Sequence, residues 1–304
     1  MKKVLLLSFV SLQLSGCALL SGDFSVQNLG ESILSMVGLG PAASVYDTAT
    51  SIAKATENMS EEEEYYLGRA VSAKVLATYP LVESAALQSY VNKVGTAVAV
   101  YSDLPQTFGG YHFAILDSTE LNAMATPGGF VFITRGLFDT LTGEDQLAAV
   151  FAHEVVHVSE RHGVKAISQA RLSDALTSLG KLAGSLNCAD IFQQATAVFD
   201  VAAEDVFQNL VQKGYDREQE YEADAKAAAI LIRAGYDPRA LRTALVQLEQ
   251  AFKSNQTGWF DTHPAPRKRV GEIDQVLTKT TLPTNSTEGK SIRTARFLKL
   301  REVL

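Results

Sequence analysis

Residues 150–163 read "VFAHEVVHVSERHG" and set His153, Glu154 and His157 into a run otherwise dominated by valine, alanine and phenylalanine. The stretch belongs to a helix predicted over Glu144–His162, with Thr142 as N-cap, Asp145 three residues on completing a variant of the capping box, and Gly163 as the stop. Leu147, Ala148, Val150, Phe151, Val155, Val156 and Val158 spread apolar surface nearly all the way round it, the pattern of a helix enclosed by its domain. Ionisable groups inside such a helix need compensation.

Four residues apart, His153 and His157 lie about 40° from one another on one face, so both imidazoles reach a single point, and a metal there explains them. Glu154 projects roughly 80° from the midpoint of the pair, too far round to be a natural ligand but close enough to hold a water beside the metal. This is the spacing of a zinc peptidase helix, with one zinc ion per chain. The helix supplies two ligands, and a tetrahedral catalytic zinc needs a third from elsewhere in the chain.

The segment "REQEYEADAKAAAILIRAG" offers Glu218, Glu220, Glu222 and Asp224. Helical spacing sorts them into two faces. The stripe from Glu222 runs through Lys226, Ala229 and Arg233 and contains a favourable i, i+4 ion pair, which marks it as the outer face. The stripe from Glu220 runs through Asp224, Ala227, Ala228 and Leu231, small and apolar residues that let another helix approach closely. Glu220 is therefore the expected third ligand. Asp224, one turn on, is placed to accept the distal N–H of a zinc histidine and fix its tautomer.

The blocks "HEVVH" (153–157), "EYEAD" (220–224), "LNAMATPGGFVFITRGL" (121–137) and "THPAPRKRV" (262–270) together resemble, in order and content, metallopeptidase family forty-eight, the HtpX-like and CAAX-prenyl-protease-like gluzincins. The resemblance covers about Ser60 to Leu277 and is nearest the periplasmic lipoprotein branch. It implies a zinc metalloendopeptidase on a zincin-like fold, with Glu154 as general base. It agrees with Glu220 as ligand and implies that the strand around Asn122 and Ala123 lies beside the zinc and pairs with an extended substrate, a mode tolerant of sequence. It also implies that His263 and Arg269 lie over the active site in catalytic roles. His263 either stabilises the oxyanion or occupies the open zinc position and keeps the enzyme latent. His162, beside the stop glycine, is assigned to terminal helix carbonyls, and neither it nor His112 to zinc; Trp259 is read as core or groove wall.

The rest of the chain sets the context. Its 304 residues, 46% hydrophobic and 20% charged, suffice for a substantial core. The net charge of −7 argues against nucleic acid as a partner. "MKKVLLLSFVSLQLSGC" has a basic pair, an apolar run too short to span a bilayer and small residues before Cys17, the layout of a signal peptide. Its "LSGC" end resembles the lipobox of bacterial lipoproteins, which implies an exported protein lipidated on Cys17 and held at a membrane by that anchor. Ala18, with no aspartate after the cysteine, points to the outer membrane facing the periplasm.

The expected layout is a signal peptide at 1–16, a tether at 17–59, a metallopeptidase domain at 60–278, and a linker with a short basic tail at 279–304. Ser60 caps a helix whose acidic run "EEEE" is read as capping and solvation. A second helix is predicted over Glu83–Tyr101. "YHFAILDS", "ELNAMAT" and "FVFIT" predict a small sheet with a "PGG" turn between the last two runs. Further helices are predicted over about Ala170–Lys213, over Glu218–Ala234, and from Pro238 to about Lys253 with Asp237 as cap. The expected class is α+β, mostly helical, with the sheet beside the His153 helix. Unfolded or misassembled envelope proteins are the expected substrates. The alternative is an outer-membrane assembly factor or chaperone on a latent zinc-peptidase fold, working with the assembly machinery.

Overall fold

The computed structural model describes residues 59–165, 203–208, 210, 213–252, 262–263, 266–280 and 287–302. The expected signal peptide, the expected tether up to residue 58 with Cys17, Trp259 and most of the helix expected after Ala170 lie outside the described residues.

The described chain is mostly helical with one small sheet. Ser60 opens α1 (Glu61–Thr78) with a complete capping box: its hydroxyl accepts from the Glu63 N–H at 3.2 Å, and the Glu63 carboxylate accepts from the Ser60 N–H at 2.8 Å. The acidic run is not wholly solvated as expected. Glu64 is buried, and Arg161 pairs with it at 2.8 Å. α2 (Ala85–Ala99) turns Leu87, Val91, Val94 and Val98 into the core.

Strands β1 (His112–Leu116), β2 (Ala123–Thr126) and β3 (Phe130–Thr134) form a sheet of order β1-β3-β2, parallel between β1 and β3 and antiparallel between β2 and β3. The "PGG" turn joins β2 to β3 in a 3₁₀ conformation with Gly128 and Gly129 at φ +74° and +102°, values that L side chains rarely adopt. Against this turn α1 presents Gly68, where a Cβ would lie 1.8 Å from the Pro127 carbonyl oxygen, so glycine alone lets helix and turn meet.

After the short α3 (Arg135–Thr140) comes α4 (Glu144–Ser159), buried on every side from Glu144 to Val158. It packs against α2, β2, α6 (Arg217–Ala234), α7 (Ala240–Phe252) and α9 (Thr287–Arg301), while α8 (Pro266–Thr278) covers α6 and α7. Ala223, Ala227 and Ala228 let α6 approach α4 closely. Gly235, at φ +76°, closes α6, and the Asp237 side chain accepts from the Arg239 N–H just before α7.

Both ends of α4 differ from expectation. Gly143 is the N-cap and offers no side chain; instead the Gln146 amide oxygen reaches back to accept from the Thr142 N–H at 2.7 Å and its hydroxyl at 3.1 Å. Gly163 does not stop the helix. The break comes at Arg161, a non-glycine residue at φ +56°, and Gly163 lies inside α5 (His162–Lys165).

The basic tail expected after Lys279 is in fact a helix of the same compact unit, which runs from Met59 to Ile167 and from Ala203 to Leu304. α9 seats a fully buried Phe297 on Phe138, ring centroids 4.8 Å apart, and clamps the first turn of α4. Arg293 pairs with Asp145 at 2.6 Å, and Arg296 binds both carboxylate oxygens of Glu144. Its sequence hid this because the anchoring is mostly ionic, with few apolar positions to betray a buried face. Among the described residues no helix is long and apolar enough to cross a membrane.

Candidate metal centre

The middle of α4 and the start of α6 face one another, and helical spacing decides what meets there. His153 and His157 project from one face of α4 with their Nε2 atoms 3.0 Å apart. Glu220 Oε2 lies 3.6 Å from His153 Nε2, and Glu220 Oε1 lies 3.4 Å from His157 Nε2. His263 completes a group of four buried residues whose potential ligand atoms all lie within 4.8 Å of one another. A tetrahedral site with arms of about 2.0–2.1 Å has edges of roughly 3.3–3.4 Å, close to these separations.

The electrostatics point the same way. Among the described residues, Glu154, Glu220 and Asp224 are buried with a single guanidinium, that of Arg269. Burial pushes the Glu154 and Glu220 carboxyls up to about 7 each. It drives His153 well below the usual imidazole range and His157 down to about 3. Both carboxylate oxygens of Glu154 and the Oε1 of Glu220 are buried without a hydrogen-bond donor. A divalent cation answers all of this at once: it accepts neutral imidazole lone pairs and a carboxylate, and it offsets negative charge in the buried acidic cluster.

A polar layer stands behind the donor atoms. Asp224 Oδ1 lies 3.0 Å from His153 Nδ1, and Asp224 takes two hydrogen bonds from Arg269, from Nε at 2.8 Å and from Nη2 at 2.7 Å. The Arg269 Nη1 lies 2.7 Å from Glu220 Oε2. Arg269 is fully enclosed and holds Asp224 and Glu220 in place. Two buried carboxylates thus share one guanidinium.

His263 faces Glu154, with Nε2 3.5 Å from Glu154 Oε1, and its Nδ1 meets the Thr262 hydroxyl at 3.0 Å. That hydroxyl also donates to Asn122 Oδ1 at 3.4 Å, which links the histidine to the outer strand β2. Asn122 lies just before β2 and Ala123 opens it, and both are buried, at 3% and 0% exposure. His112 is exposed on β1, away from the cluster.

Two neighbours escaped sequence reasoning. Tyr215, just before α6, stacks on His157 with ring centroids 4.0 Å apart and planes 13° from parallel. His162 does not cap a helix: its Nδ1 lies 2.8 Å from His157 Nδ1. A continuous helix would carry a residue five positions on about 140° round from His157, and the turn at Arg161 brings it back.

Comparison with known proteins agrees with this geometry. The family model "Peptidase family M48" matches residues 85–277, a span that takes in every member of the cluster. The chain is 28% identical over 253 residues to the beta-barrel assembly-enhancing protease of Escherichia coli (strain K12), covering 81% of this chain and 51% of that protein. It is 31% identical over 221 residues to a putative beta-barrel assembly-enhancing protease of Vibrio cholerae, covering 71% and 44%. With metalloprotease LoiP of Escherichia coli it shares 26% identity over 166 residues, covering 53% and 61%. The chain spans about half the length of the beta-barrel assembly-enhancing proteases that it matches. With two histidines and a glutamate from separate helices converging inside the matched region, the chain belongs to peptidase family M48.

Proposed function

We propose that the protein is a zinc-dependent endopeptidase of the bacterial envelope that hydrolyses unfolded or misassembled exported proteins. The observation that carries this reading is the convergence of four buried donor atoms within 4.8 Å, with the Glu154 carboxylate beside them. His153, His157 and Glu220 would hold the ion; zinc suits a set of imidazole and carboxylate ligands. When bound, it supplies Lewis-acid activation of the peptide carbonyl and of water. Glu154 takes a proton from the attacking water and returns it to the leaving amine, a task helped by a carboxyl that burial has raised to about 7. Asp224 accepts from His153 Nδ1–H and directs the Nε2 lone pair inward, and Arg269 holds Asp224 and Glu220 in their orientation. The outer edge of β2 at Asn122 and Ala123 would add an extended substrate once uncovered.

A lipid on Cys17 would hold the protein at the outer membrane, facing the periplasm; the naming of two relatives as beta-barrel assembly-enhancing proteases supports substrates among envelope proteins. Purified protein incubated with unfolded casein should yield fragments that disappear on chelation and return with added zinc. Intact casein with metal-replete protein would defeat the reading.

A second reading has its own observation. His263 stands among the four donor atoms, where it would fill the open position of the ion and leave an assembly factor or chaperone on a latent peptidase fold. Full rescue of a deletion strain by Glu154→Gln would favour it over proteolysis.

A further inference from the structure

The two histidines that α4 gives to the cluster are backed differently. Asp224 and Arg269 stand behind His153, whereas the Nδ1 of His157 faces another imidazole, that of His162, at 2.8 Å. A single hydrogen lies between those two nitrogens, so one ring must donate and the other accept. If His162 donated, His157 would carry its own hydrogen on Nε2, aimed at His153 Nε2 only 3.0 Å away, and could not serve as a ligand. If His157 donates, its Nε2 lone pair points into the cluster and His162 carries its hydrogen on Nε2.

The surroundings select the second arrangement. His162 Nε2 lies 3.6 Å from the Glu222 carboxylate, which favours a hydrogen on that nitrogen. Glu222 is in turn held by Lys226 at 2.9 Å, and Lys226 by Glu160 at 2.6 Å, so the acceptor is fixed from both α6 and the end of α4. The ring of Tyr215, stacked on His157, keeps the imidazole plane in line with His162.

We infer that His162, oriented by Glu222, is a positioning residue that sets the tautomer of His157 and thereby makes it competent to bind the metal. The outer-face glutamate of the "EYEAD" block thus acts through His162 on the same ion that Glu220 faces directly. This inference rests on the metal-site reading above, and its test separates the two.

The test uses the full-length protein, zinc alone as probe, and competition with a chromophoric chelator. His162→Phe, which fills the ring's space but accepts no hydrogen bond, should weaken zinc binding about 10- to 100-fold. His162→Asn, whose amide oxygen replaces Nδ1 as acceptor, should stay within about 3-fold of the parent, and Glu222→Gln should lose a few-fold. In metal-free protein the nitrogen-15 shifts of His157 should report hydrogen on Nδ1 in the parent and in His162→Asn. Equal losses in the Phe and Asn variants, or hydrogen on Nε2 of His157 in the parent, would overturn the relay. Should His162→Phe fail to fold, the Asn and Glu222→Gln affinities and the parent tautomer decide. A parent that binds no zinc would overturn the metal reading and the relay with it.

Discussion

Helix α4 carries two buried acidic sites ten residues apart, and they are built on opposite principles. At its first turn Glu144 is saturated: Arg296 grips both oxygens, and the hydroxyls of Tyr90 and Tyr236 donate to them at 2.9 and 3.2 Å. At its middle Glu154 is equally buried, yet neither oxygen receives a hydrogen bond. A fold gains from the first arrangement and loses by the second, because a buried carboxylate without donors forfeits its hydration. Two such sites on one helix teach that burial of charge alone does not distinguish structure from chemistry; the state of its partners does.

The sharpest way to break this comparison is to remove one charge from each site and ask which property falls. Glu154→Gln should cut casein hydrolysis by about 10²- to 10⁴-fold, the usual worth of a positioned general base. Zinc content should be unchanged, and the melting temperature should hold or rise, since the change neutralises a carboxylate that has no donors. A large drop in stability with activity retained would reverse the roles assigned to the two ends.

The next effect concerns what holds the first turn. Phe297→Ala empties a fully buried position against Phe138 and should cost about 3–5 kcal/mol, measured by urea unfolding. The loss would show α9 to be part of the cooperative unit. If the change is silent, α9 is an appendage and the clamp on α4 is dispensable.

Why α9 was invisible in sequence while the metal centre was not is a matter of dimensionality. His153, His157 and Glu220 obey helical periodicity, and periodicity can be read along a line; Asp224 follows on the same stripe, and the three strands announce themselves by β-branched and aromatic runs and by the glycine turn. The polar ties of α9 are ion pairs between residues far apart in sequence, Arg293 to Asp145 and Arg296 to Glu144, which no local pattern encodes. His162 was lost for another reason: its placement depends on Arg161 adopting a left-handed backbone, a conformation that arginine composition does not signal. Arg269 was singled out by resemblance alone, and only the three-dimensional arrangement shows that it binds Glu220 and Asp224 together.

Glu144→Gln should cost about 2–4 kcal/mol, because it weakens three charge-assisted hydrogen-bonding partners at a position with no exposure. Activity should then fall only as the folded fraction falls, and zinc affinity of the folded protein should match the parent. A change in zinc affinity would mean that the two ends of α4 are coupled, which the comparison denies.

Asp145→Asn completes the gradient at its small end. Asp145 sits beside Glu144 in the same first turn and also binds an arginine, but its side chain retains 10% exposure and that of Arg293 19%. Solvent can therefore replace part of what the substitution removes, and the asparagine oxygen still accepts from Arg293. The loss that remains is the charge-assisted part of one ion pair and the favourable placement of an acid at a helix N-terminus, together about 1 kcal/mol and diminished by salt. Measured by urea unfolding at low and at high salt, the variant should differ from the parent in the first condition and approach it in the second. A salt-independent loss as large as that of Glu144→Gln would show that exposure does not grade these two neighbours, and that the first turn of α4 is held as one inseparable network.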